Sequence, residues 1–516
     1  MPSRAHMHTP RAYRFCDGLT EAVLYFMVIL APWAYGTTEP WWIWRMNVAG
    51  YLLGALLLTK WLIRSRTGFR PDGLDDKDKG RRLSAAADGS QGGTAEPSPK
   101  ERSRTKPLTV TLAALTVALL AFCLVSALNA RSTFYYRLRA FEPHESIAWL
   151  PRSFDRYATW QAFWMYLGLA LCFWATRDWL MGKTSRERRE SRESNEAALS
   201  REPYPIPSRL RRLLWVLCLN GAVLALEATL QRLSGTDKLL WRIRPEFNNY
   251  AVLQFGPFAY RSNGAQYLNL IWPVCLGFWW VLREEFKRSG GAKARTGSGP
   301  HVLLLPCSVV IAAAPIISTS RGGAIVAALN LVGALIALLV ANRRRRWTGR
   351  LGAVTIFATA LLLAGYLGWP QLKTRLQTIL ADELSGRFEL YKNARQIARD
   401  YPLFGTGPGT FAWIYLPYRT HPEATWEAYA HDDWLETRIT FGWVGFSMIL
   451  SMLAVVLARA FVPGGGTRVR GLFVYMLWLS LGGCLVHAKF DFPFQVYSTL
   501  ALFVQICCVL FCLSRR

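Results

Sequence analysis

Pro402-Leu403-Phe404-Gly405-Thr406-Gly407-Pro408-Gly409 and, further on, Ala430-His431-Asp432-Asp433-Trp434-Leu435 stand in one polar segment, 369–439, between apolar runs at 350–368 and 440–461. Nothing in bilayer physics requires a polar loop of that length between two spans, so in a membrane chain such a segment is where function concentrates. The flanking runs have ten counterparts, near 18–36, 42–62, 108–128, 158–180, 213–231, 265–282, 302–318, 323–341, 471–487 and 496–513. Each approaches or exceeds the ~20 helical residues that cross a hydrocarbon core of about 30 Å. Helix is the state that satisfies their backbone without water. The expected fold is therefore all-α and polytopic, with twelve spans and the large loop between the ninth and tenth.

Composition agrees. The chain is 52% hydrophobic with 22 Trp, yet its net charge is +27, and its mean hydropathy is +0.15. A nucleic-acid binder would gather its cations on one domain; here Lys and Arg sit in short blocks between apolar runs. The first run follows Arg4, Arg11 and Arg14 without a small-residue cleavage site and is read as a retained span. The ten cysteines form no CxxC pair and no cluster with metal-ligand spacing, so no metal or cofactor is expected.

Basic residues set the orientation. With both termini inside, Arg81-Arg82, Arg188-Arg189, Arg211-Arg212 and Arg343 to Arg346 all fall on the cytoplasmic side, as the positive-inside rule asks. The predicted organisation is spans one and two in 1–62, a basic linker 63–107, spans three and four in 108–180, a charged linker 181–212, spans five to nine in 213–368, an outer loop 369–439 and spans ten to twelve in 440–516. Both linkers are too polar to bury a core and read as disordered tethers. Segments 129–157, 232–264 and 369–439 face outward and are aromatic, so chemistry is expected there.

Within the outer loop, Gly386 to Arg399 places Phe388, Tyr391, Ala394 and Ile397 or Ala398 on one face, the pattern of an amphipathic helix. Ser385 is its expected N-cap and Pro402 its stop. Such a helix would lie along the membrane surface with Arg387, Lys392, Arg395 and Arg399 on its polar sides. Snorkelling to headgroups accounts for Lys392 and Arg399. Arg387, at the helix start, opposes the macrodipole, which favours a functional role. The Gly405–Gly409 stretch lacks the Lys-Ser/Thr ending and βαβ setting of a phosphate loop; its glycines are read as letting backbone approach helix 386–399. His431, on a helix expected to start near Thr425, is either an interfacial structural residue or a general base oriented by a carboxylate such as Asp432 or Asp433.

Elsewhere on the outer face, Ser318-Thr319-Ser320-Arg321-Gly322-Gly323 is a tight turn whose glycines allow close helix packing. Arg321 either snorkels or offers a bidentate guanidinium to an anionic group such as a pyrophosphate. Arg261, leading into the sixth span, Glu227 at the outer end of the fifth, and Asp491 after the eleventh are weaker candidates that also fit ordinary interfacial charges.

Taken in order, these pieces resemble the bacterial O-antigen ligase and O-antigen polymerase family, from the Tyr35-Gly36-Thr37-Thr38-Glu39-Pro40-Trp41 turn through Asp491. The resemblance lies in Ser320-Arg321-Gly322, Arg387 opening an outer-loop helix, Pro402–Gly409 and His431-Asp432-Asp433-Trp434-Leu435. The chain departs from the family's pattern at Asp432, where Asn is usual, at Thr440, where Glu commonly precedes Phe441-Gly442, and at Tyr260-Arg261-Ser262-Asn263, where only the Arg matches. The resemblance implies a metal-independent, inverting glycosyltransferase of the bacterial inner membrane. It would take a glycan from a polyprenyl pyrophosphate and pass it, on the periplasmic face, to an acceptor hydroxyl of lipid A-core, a growing glycan or a protein. His431 would be the general base, Arg321 and Arg387 would stabilise the pyrophosphate, and Arg261, Arg395, Asp432, Asp433 and Glu227 would bind substrate. A twelve-span transporter is the rival of another class, but the largest ordered loop lies outside and no internal repeat relates two halves.

Overall fold

The computed structural model describes residues 9–69, 99–135, 140–182, 206–288, 299–341, 384–420, 428–461 and 468–513, with isolated positions between them. Its helices are α1 (Arg11–Trp33), α2 (Pro40–Thr67), α3 (Pro99–Leu128), α4 (Arg156–Met181), α5 (Ser208–Ser234), α6 (Arg261–Arg288), α7 (His301–Ile317), α8 (Arg321–Ala341), α9 (Leu384–Asp400), α10 (Asp433–Phe461), α11 (Arg468–His487) and α12 (Tyr497–Leu513). Each apolar run of the sequence coincides with one of these except 350–368, which lies almost wholly outside the described residues, as does most of the two linkers. Among the described residues, seven helices are long and apolar enough to cross a membrane, and α7, Gly471–His487 and α12 are shorter apolar helices. The chain is thus a helical, polytopic membrane protein. Two helices begin earlier than expected, α3 at Pro99 and α5 at Ser208, inside the stretches read as linkers.

The buried centre is α6, packed against α5, α7, α8, α11 and α12. At the end of the bundle away from the outer loop, α1, α2, α4 and α5 are tied by charge. Lys60, fully buried, lies 3.0 Å from Asp178 and 3.4 Å from Asp17. Arg64 grips Asp178 with two hydrogen bonds of 2.7 and 2.8 Å. Arg209 pairs with Asp17 and with Glu187, each at 2.6 Å. No carboxylate in the group is left without a cation, the condition under which charges persist in an apolar interior.

The outer loop has its own core. Leu390, Ala394, Ile397 and Ala398 of α9 pack on Phe411, Ile414, Tyr415, Ala430 and Ile439. The helix therefore turns its apolar face onto the loop instead of lying along a bilayer surface, and Phe388, expected on that face, is 69% exposed. Ser385, expected just before the helix, falls inside α9. A hairpin not foreseen from sequence, β1 (Ser132–Tyr135) with β2 (Ala140–Pro143), abuts the same loop, where Phe134 meets Trp413 at 4.2 Å.

The glycine-rich stretch has a different task from the one expected. Helix α10 is broken at Gly442, whose φ of 61° and ψ of −170° are non-helical. Pro402 to Gly407 lies in the break and takes over the backbone groups it frees. Trp443 and Val444 donate to the carbonyls of Pro402 and Leu403, and Thr406 and Gly407 donate to those of Ile439 and Thr440, at 2.9 to 3.1 Å. Two strands of backbone meet so closely at Gly405 and Gly442 that neither has room for a Cβ. The loop is thereby spliced into the membrane helix.

Candidate active site

His431 is not helical. Residues 428–432 are irregular, α10 starts at Asp433, and 421–427, where a helix was expected to begin, lie outside the described residues. Asp432 is the N-cap: its Oδ1 accepts from the Leu435 amide at 3.1 Å, work that Asn does equally well. Its other oxygen meets Lys489 Nζ at 2.5 Å. Asp433 is buried and accepts from the Phe494 amide at 2.7 Å and from Gln495 Nε2 at 2.9 Å. Both carboxylates thus tie α10 to the segment after α11, and neither orients the imidazole.

The residue that faces His431 is Asp491. His431 takes up φ +51°, an αL conformation that histidine tolerates better than most side chains, and Tyr391 of α9 donates to its carbonyl at 2.9 Å. The ring stands edge-on to Phe492 at 4.8 Å, and Tyr260 stacks on Phe492 at 5.4 Å. Nδ1 lies 3.4 Å from Asp491 Oδ1, within ion-pair reach but long for a hydrogen bond. If Nδ1 carries the proton toward Asp491, Nε2 is left as the base. The imidazole is 21% exposed, whereas the carboxyl is buried.

Asp491 is the centre of a polar cluster. Its second oxygen accepts from Ser262 Oγ and lies 3.8 Å from Nε2 of buried His487. His487 also contacts Ser262 Oγ at 3.2 Å and Gln266 Oε1 at 2.7 Å. Burial alone would raise the Asp491 carboxyl. The hydrogen bond from His431, the two histidines and the Ser262 hydroxyl outweigh it and hold the group below the usual carboxylate range.

The cluster joins two helix starts. Ser262 sits in the first turn of α6, and Ser320 caps α8 by accepting from the Gly323 amide at 3.1 Å while donating to Ser262 Oγ at 3.1 Å. Gly322 lies so near His487 Nε2 that an added Cβ would stand 2.7 Å from it. Arg321 opens α8 two residues after Thr319, a β-branched residue at φ +57°, which Arg232 holds through its hydroxyl at 2.5 Å. Helix N-termini carry partial positive charge. Two of them in contact, one opening with Arg261 and the other with Arg321, form a place for an anion.

The other candidates fall around this centre. Arg387, in the first turn of α9, donates to the Phe490 carbonyl at 3.1 Å and so leans over the segment leading to Asp491. Burial pushes the Tyr391 phenol up, with the Arg387 charge pulling the other way. Arg261 donates to the Val252 carbonyl at 2.5 Å. Arg395 is exposed two turns along α9 from Arg387. Glu227 lies on α5 beside Gly256, in contact with the turn that precedes α6. Sequence reasoning named Asp491 as a weaker candidate that also fits an ordinary interfacial charge, and missed Ser262, Gln266 and His487. The available signal was a row of polar side chains at the mouths of apolar spans, which membrane interiors rarely carry without use.

Residues 306–450 match the family described as O-antigen ligase. That interval runs from α7 into α10 and takes in Arg321, Arg387, the glycine-rich stretch and His431, while Ser262, His487 and Asp491 lie on either side of it. No curated protein matches the chain.

Proposed function

We propose, on the premise that residues 306–450 belong to the O-antigen ligase family, that this protein is a membrane glycosyltransferase drawing on a polyprenyl-pyrophosphate-linked glycan. The observation that supports the reading is the contact chain His431–Asp491–Ser262–Ser320, which joins the imidazole to the starts of α6 and α8. His431 Nε2 takes the proton of an acceptor hydroxyl, and the hydroxyl oxygen forms the new bond to the anomeric carbon from the face opposite the leaving group. The bond from that carbon to the pyrophosphate breaks, and its electron pair leaves with the lipid. Asp491 stabilises the imidazolium so formed. Arg321, Arg387 and the amides opening α6 and α8 meet the charge that grows on the pyrophosphate, which favours the transition state over the ground state. Displacement on one face inverts the anomeric centre. Orientation follows from the basic loops, with the site periplasmic and both termini cytoplasmic in the inner membrane.

The test is reconstitution. Purified protein receives a pyrophosphate-linked polyprenyl glycan and, separately, lipid A-core, a second lipid-linked repeat and a hydroxyl-bearing peptide. Product with one acceptor, abolished in a stably folded His431→Ala variant, is expected and names the subclass: ligase, polymerase or protein transferase. Undiminished product in His431→Ala would remove the base from the mechanism.

A further inference from the structure

His487, the last residue of α11, is a buried histidine to which the proposed chemistry gives no task. Its backbone carbonyl accepts from the Phe490 and Asp491 amides at 2.9 and 3.0 Å, which closes the turn that carries Asp491. Its ring lies among Ser262, Gln266 and Gly322, between the first turns of α6 and α8. Counting protons in this cluster decides the state of the ring.

The Asp491 carboxyl is held in its ionised form, so its oxygens only accept. The single proton of Ser262 Oγ is therefore committed to Asp491 Oδ2. One lone pair of Ser262 takes the Ser320 hydroxyl at 3.1 Å. The lone pair that remains faces His487 Nε2 at 3.2 Å and calls for a donor there. In a neutral imidazole protonated on Nε2, Nδ1 accepts, and the group 2.7 Å from it is the Gln266 amide. The two ends of an amide are alike in shape. With its nitrogen toward the ring, Gln266 donates to Nδ1, and Nε2 gains the partner that it lacks among the described residues when the oxygen faces inward. Gly322 leaves space for this arrangement, since a Cβ there would stand 2.7 Å from His487 Nε2 and drive the ring off Ser262.

We propose that His487 is a positioning residue for the His431–Asp491 pair, an inference that rests on the proposed function above. Its Nε2–H pins Ser262, and Ser262 holds Asp491 Oδ2, so that Oδ1 stays toward His431 Nδ1. His431 is thereby kept in the tautomer whose Nε2 is free to take the acceptor proton. His487 relays no proton itself, and its Nε2–H stays in place throughout.

His487→Gln and His487→Met separate donation from packing. The two side chains match in length, and only Gln brings a donor to the place of Nε2. Both keep the backbone carbonyl that closes the turn. With the pyrophosphate-linked polyprenyl glycan, His487→Met is expected to lose kcat by about ten- to a hundredfold at unchanged donor KM, and His487→Gln to recover most of the loss. Equal rates in the two variants, or a loss carried by KM, would overturn the proposal. Nitrogen-15 NMR on the protein labelled at its seven histidines gives a readout that needs no turnover. The signal that disappears in His487→Gln is expected to show a protonated Nε2 and a bare Nδ1. The His431 signal, assigned with His431→Ala, should pass from Nδ1–H to a mixture of tautomers in His487→Met and not in His487→Gln. A bare Nε2 or a doubly protonated ring at His487, or a His431 signal indifferent to both changes, overturns the proposal whether or not any acceptor is glycosylated. If the unaltered protein transfers to no acceptor yet gives the expected signals, the transfer reading falls and the positioning of His431 by His487 stands.

Discussion

Replacing Gly442 with alanine probes the splice between the outer loop and α10. The glycine's φ of 61° and ψ of −170° lie in a region that only glycine occupies without strain, so the substitution costs about 1–3 kcal/mol in backbone energy. Its new methyl group would also overlap the Leu403 carbonyl and the Gly405 amide. Relief requires Pro402–Gly407 to withdraw, which gives up the hydrogen bonds Trp443–Pro402, Val444–Leu403, Thr406–Ile439 and Gly407–Thr440. At roughly 0.5–1.5 kcal/mol each, that adds about 2–6 kcal/mol. Even the low end, near 3 kcal/mol together, lowers the population of the spliced state by about two orders of magnitude. The expected outcome is loss of transfer by about that factor, with new protease cleavage inside 402–409 and continued membrane insertion. Gly482→Ala is the control, because a Cβ there meets nothing within 4 Å and alanine is the better helix former. Full activity and unchanged proteolysis in Gly442→Ala would refute the splice.

Other perturbations follow from the same geometry. Arg387→Lys should recover only part of the activity lost in Arg387→Ala, since an ammonium keeps the charge but loses the fork; equal rates for Lys and Arg in a transfer assay would deny a bidentate role. Asp178→Asn leaves buried Lys60 with Asp17 at 3.4 Å and should destabilise by about 3–5 kcal/mol, read as a lowered unfolding midpoint in detergent; an unchanged midpoint would show the network contributes nothing. The Asp491 carboxyl is held below its ordinary range, so its stabilisation is complete above the unfolded value near 3.9 and is lost as pH falls through the lower folded value. Thermal stability should therefore fall in acid below about pH 4 in the parent and much less in Asp491→Asn; a matching acid dependence in both would assign it to another group.

The helices were legible because an apolar run of twenty residues in a bilayer has one way to satisfy its backbone. Helix α9 was legible as well, but not the direction it faces: Leu390, not Phe388, is buried, because tertiary partners on the loop selected the stripe. His431 was found through its motif, yet its orienting carboxylate was sought next to it. Asp432 and Asp433 are taken up in capping and tethering α10, and the facing group, Asp491, comes from beyond the next two helices. Contacts across sixty residues leave no mark in local periodicity. The glycines of 405–409 announced a close approach without naming what approaches, since the partner is a break in a helix that reads as unbroken.

The buried charges at the far end of the bundle bear on how the protein is made. As helices leave the ribosome, α1 brings Asp17, α2 brings Lys60 and Arg64, α4 brings Asp178 and α5 brings Arg209, with Glu187 between the last two. The signs alternate, so the unbalanced charge never exceeds one unit at any stage of synthesis. These groups lie near the ends of their helices, where a lone charge costs less than the roughly 2.5–3.5 kcal/mol of a span centre, and α2, α4 and α5 in turn each bring the sign that balances what came before. Moving any of these residues to a different helix would keep the final pairing possible while stranding two like charges in a half-built bundle. The order of the chain is in this sense an assembly instruction, with each helix waiting for the next to make it fit for lipid.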